Sequence, residues 1–209
     1  MARLDISMPL FPGMPVFPGD PIVELAPVDR ISRGDAYDLS RLSLGTHAGT
    51  HVDPPVHFFP GGVTVDRLDL DVLQGPCQVL ALPEDRRGIG LPELADLADG
   101  TERVLFRTRN STRWAARLEF FPDFVGMTPE AARAVRERGV RLVGIDALSV
   151  EQDPTGRFPV HRELLGHGVP IVEGLLLASA APGAYHLDCL PLRIRDGDGG
   201  PARAVLRSP

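Results

Sequence analysis

The sequence predicts a mixed fold, α/β or α+β, with more sheet than helix. Proline and glycine, at 21 and 22 of the 209 residues, divide the chain into short elements joined by turns. Several apolar runs have the length of strands, whereas only two stretches have the pattern and boundary residues of a helix. A hydrophobic content of 43% is enough for a sizeable core, so we expect a single domain over residues 1–209.

The first half of the chain is predicted to contain an extended loop, one short helix and two strands. Residues 8–20 include four prolines, which exclude a helix and favour an extended loop with exposed aromatic side chains. Residues 79–82 and 103–107 fit strands, and residues 91–98 fit a short helix. The arginine-rich and polar segment over residues 107–114 is expected to be a surface loop.

The second half of the chain is predicted to contain a stronger helix, over residues 129–138, and then more strands. Thr128 can cap this helix, Pro129 suits its first position and Gly139 suits its end. Residues 141–146 fit a buried strand. Further apolar stretches or strands are predicted over residues 171–178, 185–194 and 202–206.

Composition excludes several classes of function. The formal net charge of −6 leaves no basic surface for nucleic acid. The sequence has no apolar run long enough to span a membrane, and its first residues do not resemble a signal peptide, so we expect a cytoplasmic protein. All 22 basic residues are arginine, which excludes lysine Schiff bases, lysine-bound pyridoxal phosphate and a P-loop. Cys77 and Cys189 are predicted to be buried thiols.

Three of the six histidines and one aspartate lie within residues 47–57, whose sequence is HAGTHVDPPVH. Imidazole and carboxylate groups are the usual ligands of zinc and related divalent metals. On an extended strand, residues two apart face the same side, so His47, His51 and Asp53 could converge on one ion. The glycines and the proline pair argue against a helix. The pattern therefore predicts a metal site on a short strand, with His57 just beyond a proline-stiffened turn.

A second group of candidate ligands lies in the last third of the chain. Glu173 interrupts the apolar run 170–177, and burying it without a partner would cost on the order of several kcal/mol. It therefore either has a partner, such as a metal ion, or faces solvent on an edge strand. His161 is the best-placed histidine to join it, whereas His167 and His186 are expected to be surface or structural residues.

Several short motifs accompany the histidine cluster in order along the chain. The cluster has the form HxGTHxDxPxH, and it is followed by GIDxxS at 144–149, by His161 and by the pair EG at 173–174. Near the two ends lie DIS at 5–7, PVFPGD at 15–20, LPLR at 190–193 and PxRAV at 201–205. In these motifs the chain resembles the cyclase family of bacterial metal-dependent hydrolases, whose best-known branch is the bacterial kynurenine formamidase. The resemblance covers nearly the whole chain.

The resemblance implies a fold, a metal centre and an assembly. The family's fold is a swivelling β/β/α arrangement, a sheet-rich core with helices outside, usually assembled as a homodimer or larger oligomer. The implied site holds two Zn²⁺ ions, with Mn²⁺ as an alternative that the ligand types do not exclude. His47, His51 and Asp53 would bind one ion, while Asp53 and Glu173 would bridge to a second ion that His161 also binds.

The resemblance also implies a catalytic and a substrate-binding residue. His57 would be the catalytic acid/base rather than a ligand. The formamidase branch carries a tryptophan that stacks on the aromatic substrate where this chain has Phe17, whose ring can also stack; core packing or a dimer contact is the alternative role for Phe17. That branch also has two adjacent histidines where this chain has His161 followed by Arg162.

The expected function is therefore hydrolysis of a small aromatic amide, as in an arylformamidase that converts N-formylkynurenine to kynurenine and formate. Two other activities of the same site stay open: an isatin hydrolase-like reaction, and ring closure in aromatic polyketide biosynthesis. A binding protein that keeps the pocket without turnover is a third interpretation, which the retained His57 disfavours.

Overall fold

A mixed sheet of eight strands forms the centre of the protein, and seven of these strands close into a ring. The computed structural model describes residues 3–208. The strands are β1 (Arg3–Asp5), β2 (Glu24–Asp29), β3 (Leu39–Ser43), β4 (His51–Asp53), β5 (Gln74–Ala81), β6 (Gly88–Ile89), β7 (Arg103–Arg107), β8 (Gly126–Met127), β9 (Leu142–Ile145), β10 (Ile171–Glu173), β11 (Gly183–Pro191) and β12 (Gly200–Arg207). The helices are α1 (Leu70–Leu73), α2 (Arg109–Ala116), α3 (Pro129–Glu137) and α4 (Pro159–Leu165).

The ring of seven strands closes because β12 pairs with β11 on one side and with β4 on the other. The order is β1–β12–β11–β5–β7–β9–β10–β4, and β12 also pairs with β4, with Gly200 opposite Val52 and Pro201 opposite His51. The four central strands β5, β7, β9 and β10 are mutually parallel, whereas β4, β11 and β12 are antiparallel to their neighbours. Outside the ring lie β1 and the two small pairs β2–β3 and β6–β8.

Alternate side chains of the ring strands face two different cores. Leu105 packs in the ring interior, which receives apolar side chains from all seven ring strands. Its neighbours Val104 and Phe106 point the other way and pack with the buried faces of α3 and α4. The prediction of a sheet-rich fold with helices outside is therefore confirmed.

Most of the predicted elements are present. The predicted helix is α3, in which Pro129 takes the first turn and the Thr128 side chain accepts a hydrogen bond from the backbone N–H of Ala131. The predicted strands correspond to β5, β7, β9, β11 and β12, with β11 ending earlier than predicted, at Pro191. In the apolar stretch 171–178 only the first three residues form a strand. Both cysteines are buried and free, as predicted.

The predicted helix over residues 91–98 is wrong. Only one turn of 3-10 helix forms there, over Pro92–Leu94. The Gln78 side chain, on β5, donates to the carbonyl of Asp96 and accepts from the N–H of Ala98. These hydrogen bonds satisfy backbone groups that a continuing helix would have used, which favours the turn.

The loop expected over residues 107–114 is also wrong, because α2 begins at Arg109. The Thr108 side chain caps this helix by accepting from the N–H of Asn110. The buried Asp146 carboxylate, after β9, accepts further hydrogen bonds from the backbone of Thr108 and Ser111. A short helix is marginal by itself, and this one depends on a carboxylate that is distant in sequence.

The hairpin of β2 and β3 is largely exposed to solvent, and the sequence analysis did not predict it. Every residue of β3 is exposed, and the two strands pair only with each other within the described part of the chain. Large apolar side chains of this region remain in contact with solvent, among them Leu25, Val28 and Leu42. Over residues 3–208, the structure contains no helix that is long and apolar enough to cross a membrane.

Candidate metal centre

Two paired strands bring three of the candidate ligands together. β4 and β10 run antiparallel with His51 opposite Glu173, and Asp53 lies two residues further along β4, on the same face as His51. Nε2 of His51 is 3.3 Å from Oδ1 of Asp53 and 3.5 Å from Oε2 of Glu173. All three side chains are buried. Glu173 is therefore a partnered residue and not a solvent-facing residue on an edge strand.

His47 and His57 reach the same place from irregular backbone. His47 was predicted on the strand but precedes it, because β4 begins only at His51. Its Nδ1 nevertheless lies 2.7 Å from Oδ1 of Asp53. His57 ends the 3-10 turn Pro55–His57, and its ring stacks on that of His47 with centroids 4.0 Å apart.

His161 comes to the site from α4, which packs against the same face of β10 as Glu173. Its Nε2 is 3.3 Å from Oε1 of Glu173 and 3.9 Å from Oδ2 of Asp53. The Glu173 carboxylate is further held by the backbone N–H of Val150, which donates to Oε1 over 2.6 Å. The structure thus brings together all six residues that were predicted for the centre, from three separate segments of the chain.

Hydrogen bonds at Nδ1 orient two of the imidazole rings. Nδ1 of His51 lies 2.9 Å from the carbonyl oxygen of Gly49, which can only accept, so this nitrogen carries a proton. Nδ1 of His161 lies 2.7 Å from a carboxylate oxygen of Glu151. Both rings therefore present Nε2 to the carboxylates of Asp53 and Glu173. Metal-binding histidines are typically held in this way, with the second nitrogen bonded to a carbonyl or a carboxylate.

The negative charges of the Asp53 and Glu173 carboxylates favour a positive charge on the neighbouring histidines. Burial alone would lower the pKa of His51, but the charges and hydrogen bonds of Asp53 and Glu173 outweigh burial and raise that pKa to about 10. Burial is likewise outweighed at His161, whose pKa is raised to about 10 by its hydrogen bonds to Glu151 and Glu173. A divalent cation would balance the same negative charge while the histidine rings stay neutral.

The atoms of the site fit a metal ion. Among the residues that the structure describes, Nε2 of His47 and Oδ2 of Asp53 are buried without a hydrogen-bond partner. One ligand atom from each of His51, Asp53 and Glu173 lies within 4.8 Å of the other two, and His47, Asp53 and His57 form a second such group. Nitrogen and carboxylate oxygen are the donors that zinc and manganese bind.

A known family matches the part of the chain that contains the histidine cluster. The family model with the description “Putative cyclase” matches residues 4–152. The chain belongs to the Cyclase family. The resemblance predicted from the motifs is therefore confirmed.

Relatives of this Cyclase family member resemble it over nearly its whole length. The kynurenine formamidase of Salinibacter ruber (strain DSM 13855 / M31) is 38% identical over an alignment 211 positions long, which covers 99% of this chain and 98% of the relative. That of Geobacillus thermodenitrificans (strain NG80-2) is 36% identical over 206 residues, 98% and 94% of the two chains.

Solved structures share the fold. One described as a potential metal-dependent hydrolase with cyclase activity has a TM-score of 0.84 and 33% identity, over 100% of this chain and 99% of that chain. Isatin hydrolase A from Labrenzia aggregata has a TM-score of 0.84 and 25% identity, over 98% and 93%. The swivelling, cyclase-like architecture predicted for this chain is therefore that of its structural neighbours.

The centre lies at the base of a pocket of about 470 Å³ with aromatic walls. Phe17 lines this pocket and also contacts Phe120 edge to face, with ring centroids 5.8 Å apart. Phe58 stacks on the His161 ring at 4.8 Å, and Phe158 packs against Phe58 at 5.4 Å. The pocket thus offers flat apolar surfaces next to the polar centre.

Sequence reasoning missed three residues of this site. Glu151 and Phe158 lie in an irregular segment whose pattern gave no signal. Phe58 directly follows His57, and this adjacency was the one available signal for it. Only the placement of α4 beside β10 shows what Glu151 and Phe158 contact.

The backbone of Gly174, next to Glu173, closely approaches that of Gly49, which leads to a prediction. A Cβ atom there would collide with the carbonyl of Gly49, and φ of Gly174 is +67°. We expect Gly174→Ala to lower the free energy of unfolding by about 2–4 kcal/mol, from backbone strain and overpacking together. Denaturant unfolding measures this loss.

The matched control is Gly168→Ala, where φ is +76° and an added Cβ meets no atom within 4 Å. This variant carries the backbone strain alone, so we expect a loss of only about 1–2 kcal/mol. Equal losses in the two variants would contradict the role of the Gly174 contact.

Proposed function

We propose that this protein is a divalent-metal-dependent hydrolase of small aromatic amides that converts N-formylkynurenine to kynurenine and formate. The observation that carries the proposal is the meeting of His51, Asp53, His161 and Glu173 around one point, beside His57. The sequence identity of 36–38% with two kynurenine formamidases, over nearly the full chain, supports the choice of substrate.

We assign the ligands to two adjacent metal positions. His47, His51 and Asp53 would hold one Zn²⁺ ion, and His161 and Glu173 would hold a second, with Asp53 and Glu173 bridging the two. Mn²⁺ is the alternative, because the same donor atoms bind it. When bound, such ions make water a stronger nucleophile at neutral pH and polarise a carbonyl group.

His57 is assigned the proton transfers. Burial lowers the pKa of His57 below its usual value, so its ring is neutral near pH 7 and can accept a proton. His57 accepts the proton of the attacking water as the new C–O bond forms at the formyl carbon. It then gives that proton to the aniline nitrogen as the C–N bond breaks, which releases formate and the free amine.

The aromatic walls of the pocket are assigned to the substrate ring. Phe17 lines the pocket and is half-buried, so the part of its ring that faces the pocket can stack on an aromatic substrate.

Release of formate from N-formylkynurenine by the zinc-loaded protein is the decisive measurement. We expect catalytic formate release between about pH 6 and pH 9, where a neutral His57 can cycle its proton. Removing the metal with a chelator should abolish the activity, and adding Zn²⁺ or Mn²⁺ back should restore it. Absence of formate from protein with bound metal would contradict this substrate.

Hydrolysis of isatin is a second candidate function of the same site. It is favoured by the structural likeness to isatin hydrolase A and by Arg162, which stands where the formamidase branch has a second histidine. The measurement is isatin consumption under the conditions of the formate assay. Turnover of isatin without formate release would favour this candidate.

We also propose that the protein is a homodimer or a larger homo-oligomer. Seven large apolar side chains lie exposed on and around the hairpin: Ile22, Leu25, Val28, Ile31, Tyr37, Leu39 and Leu42. An isolated hairpin is marginal in water, and residues 22–42 carry four acidic and three basic side chains, so two copies can meet without strong repulsion. We expect light scattering to give at least twice 22.6 kDa; a monomer would contradict this. The cytoplasmic location stays a prediction from the sequence.

A further inference from the structure

We propose that Glu151 is a positioning residue that fixes the His161 ring and thereby sets the affinity of one of the two metal positions. This inference rests on the proposed function, because it assigns a role toward the metal that His161 would bind. Glu151 does not itself face the other ligands. It acts only through His161.

Three hydrogen bonds hold the Glu151 carboxylate to one short segment. Oε1 accepts from Nδ1 of His161 over 2.7 Å and from the backbone N–H of the same residue over 2.9 Å. Oε2 accepts from the backbone N–H of Val160 over 3.0 Å. Glu151 is 4% exposed, so water does not compete for these bonds. The same carboxylate therefore anchors both the backbone and the ring of His161.

This arrangement determines which ring nitrogen faces the centre. Because an ionised carboxylate can only accept, Nδ1 of His161 keeps its proton. Nε2 then points toward Glu173 and Asp53, at 3.3 and 3.9 Å. Phe58 lies flat against the ring and restricts its tilt, whereas the bond from Glu151 restricts its rotation within the plane.

A purely structural role in helix capping is the competing explanation. Phe158, at the N-cap of α4, makes no side-chain capping bond. Glu151 instead accepts hydrogen bonds from the first free backbone N–H groups of the helix, as a capping side chain would. Capping, however, needs only the two backbone bonds. The third bond, to the ring, is what a positioning role requires, so the two explanations differ in their effect on the imidazole.

The test compares Glu151→Ala and Glu151→Gln with Glu163→Ala and Glu163→Gln. Glu163 lies on the same helix, and its carboxylate contacts Arg136 rather than the centre. Two properties are measured: Zn²⁺ affinity by competition with a chelator, and the protection of the His161 Nδ1–H proton from solvent exchange by ¹H–¹⁵N NMR of the metal-free protein. We expect Glu151→Ala to lose about 10–100-fold in affinity at one of the two positions, together with the protection of the Nδ1–H proton that the Glu151 carboxylate binds.

Glu151→Gln is expected to give intermediate values, because an amide oxygen still accepts from the ring but carries no charge. Unchanged Nδ1–H protection and unchanged affinity in Glu151→Ala, as in the Glu163 variants, would overturn the inference. If Glu151→Ala does not fold, wild-type values in Glu151→Gln overturn it instead. Wild-type protein that binds no Zn²⁺ would contradict the proposed function, whereas the Nδ1–H protection in metal-free protein tests Glu151 independently.

Discussion

Asp53→Asn is expected to empty both metal positions and to abolish hydrolysis. Asp53 is one of the two residues that we assign to both positions: Oδ1 lies 2.7 Å from Nδ1 of His47 and 3.3 Å from Nε2 of His51, and Oδ2 faces His161. A neutral amide removes the charge that holds the cations and offers one oxygen in place of two. Metal content by elemental analysis, together with formate release, measures both effects.

The matched control is Asp188→Asn, the same change at a carboxylate that pairs with Arg207 on the adjacent strand β12, away from the centre. It should keep its metal and its activity. Circular dichroism establishes that both variants fold. Full metal occupancy in Asp53→Asn would reject the shared role of this carboxylate.

His57→Ala is expected to keep both metals and to lose about 10²–10⁴-fold in turnover. The reason is that alanine cannot carry the proton from water to the leaving nitrogen, while the assigned ligands are unchanged. Steady-state kinetics and metal analysis of the same preparation separate the two effects. His167→Ala is a matched control, because this exposed histidine follows α4 and binds the Glu163 carbonyl.

The structure contains a competing role for His57 that this variant also tests. His57, His47 and Asp53 lie close enough to bind one ion together, and the rings of His57 and His47 are stacked. If His57→Ala loses one metal per chain, then His57 is a ligand and the proton transfers belong to another group.

The local sequence pattern was enough to predict the site residues on β4, but not how Glu173 and His161 join them. His51 and Asp53 could be paired from strand alternation, which depends only on residues two apart. Glu173 gave a local signal, a charge within an apolar run, but its partner depends on the register that places it opposite His51. His161 was chosen to join Glu173 from its position after Pro159 in the sequence alone, and the family resemblance supplied its role as a ligand of the second metal. Glu151 was missed because its role depends on where α4 packs.

The errors in the fold have the same physical origin. The helix over residues 91–98 failed because Gln78, on another element, satisfies backbone groups of that segment. Helix α2 was missed because Asp146, distant in sequence, satisfies the amides at its start. In both segments a single polar side chain from elsewhere outweighed a weak local preference, as expected for elements of about eight residues.

The pairing of β12 with β4 has a consequence for biosynthesis. β4 leaves the ribosome early, but one of its two partner strands is made only when residues 200–207 are synthesised. Until then the ring of strands stays open beside His51, and pairings between such distant segments form slowly. The candidate ligands around His51 are therefore expected to reach their final arrangement only after residues 200–207 have been made.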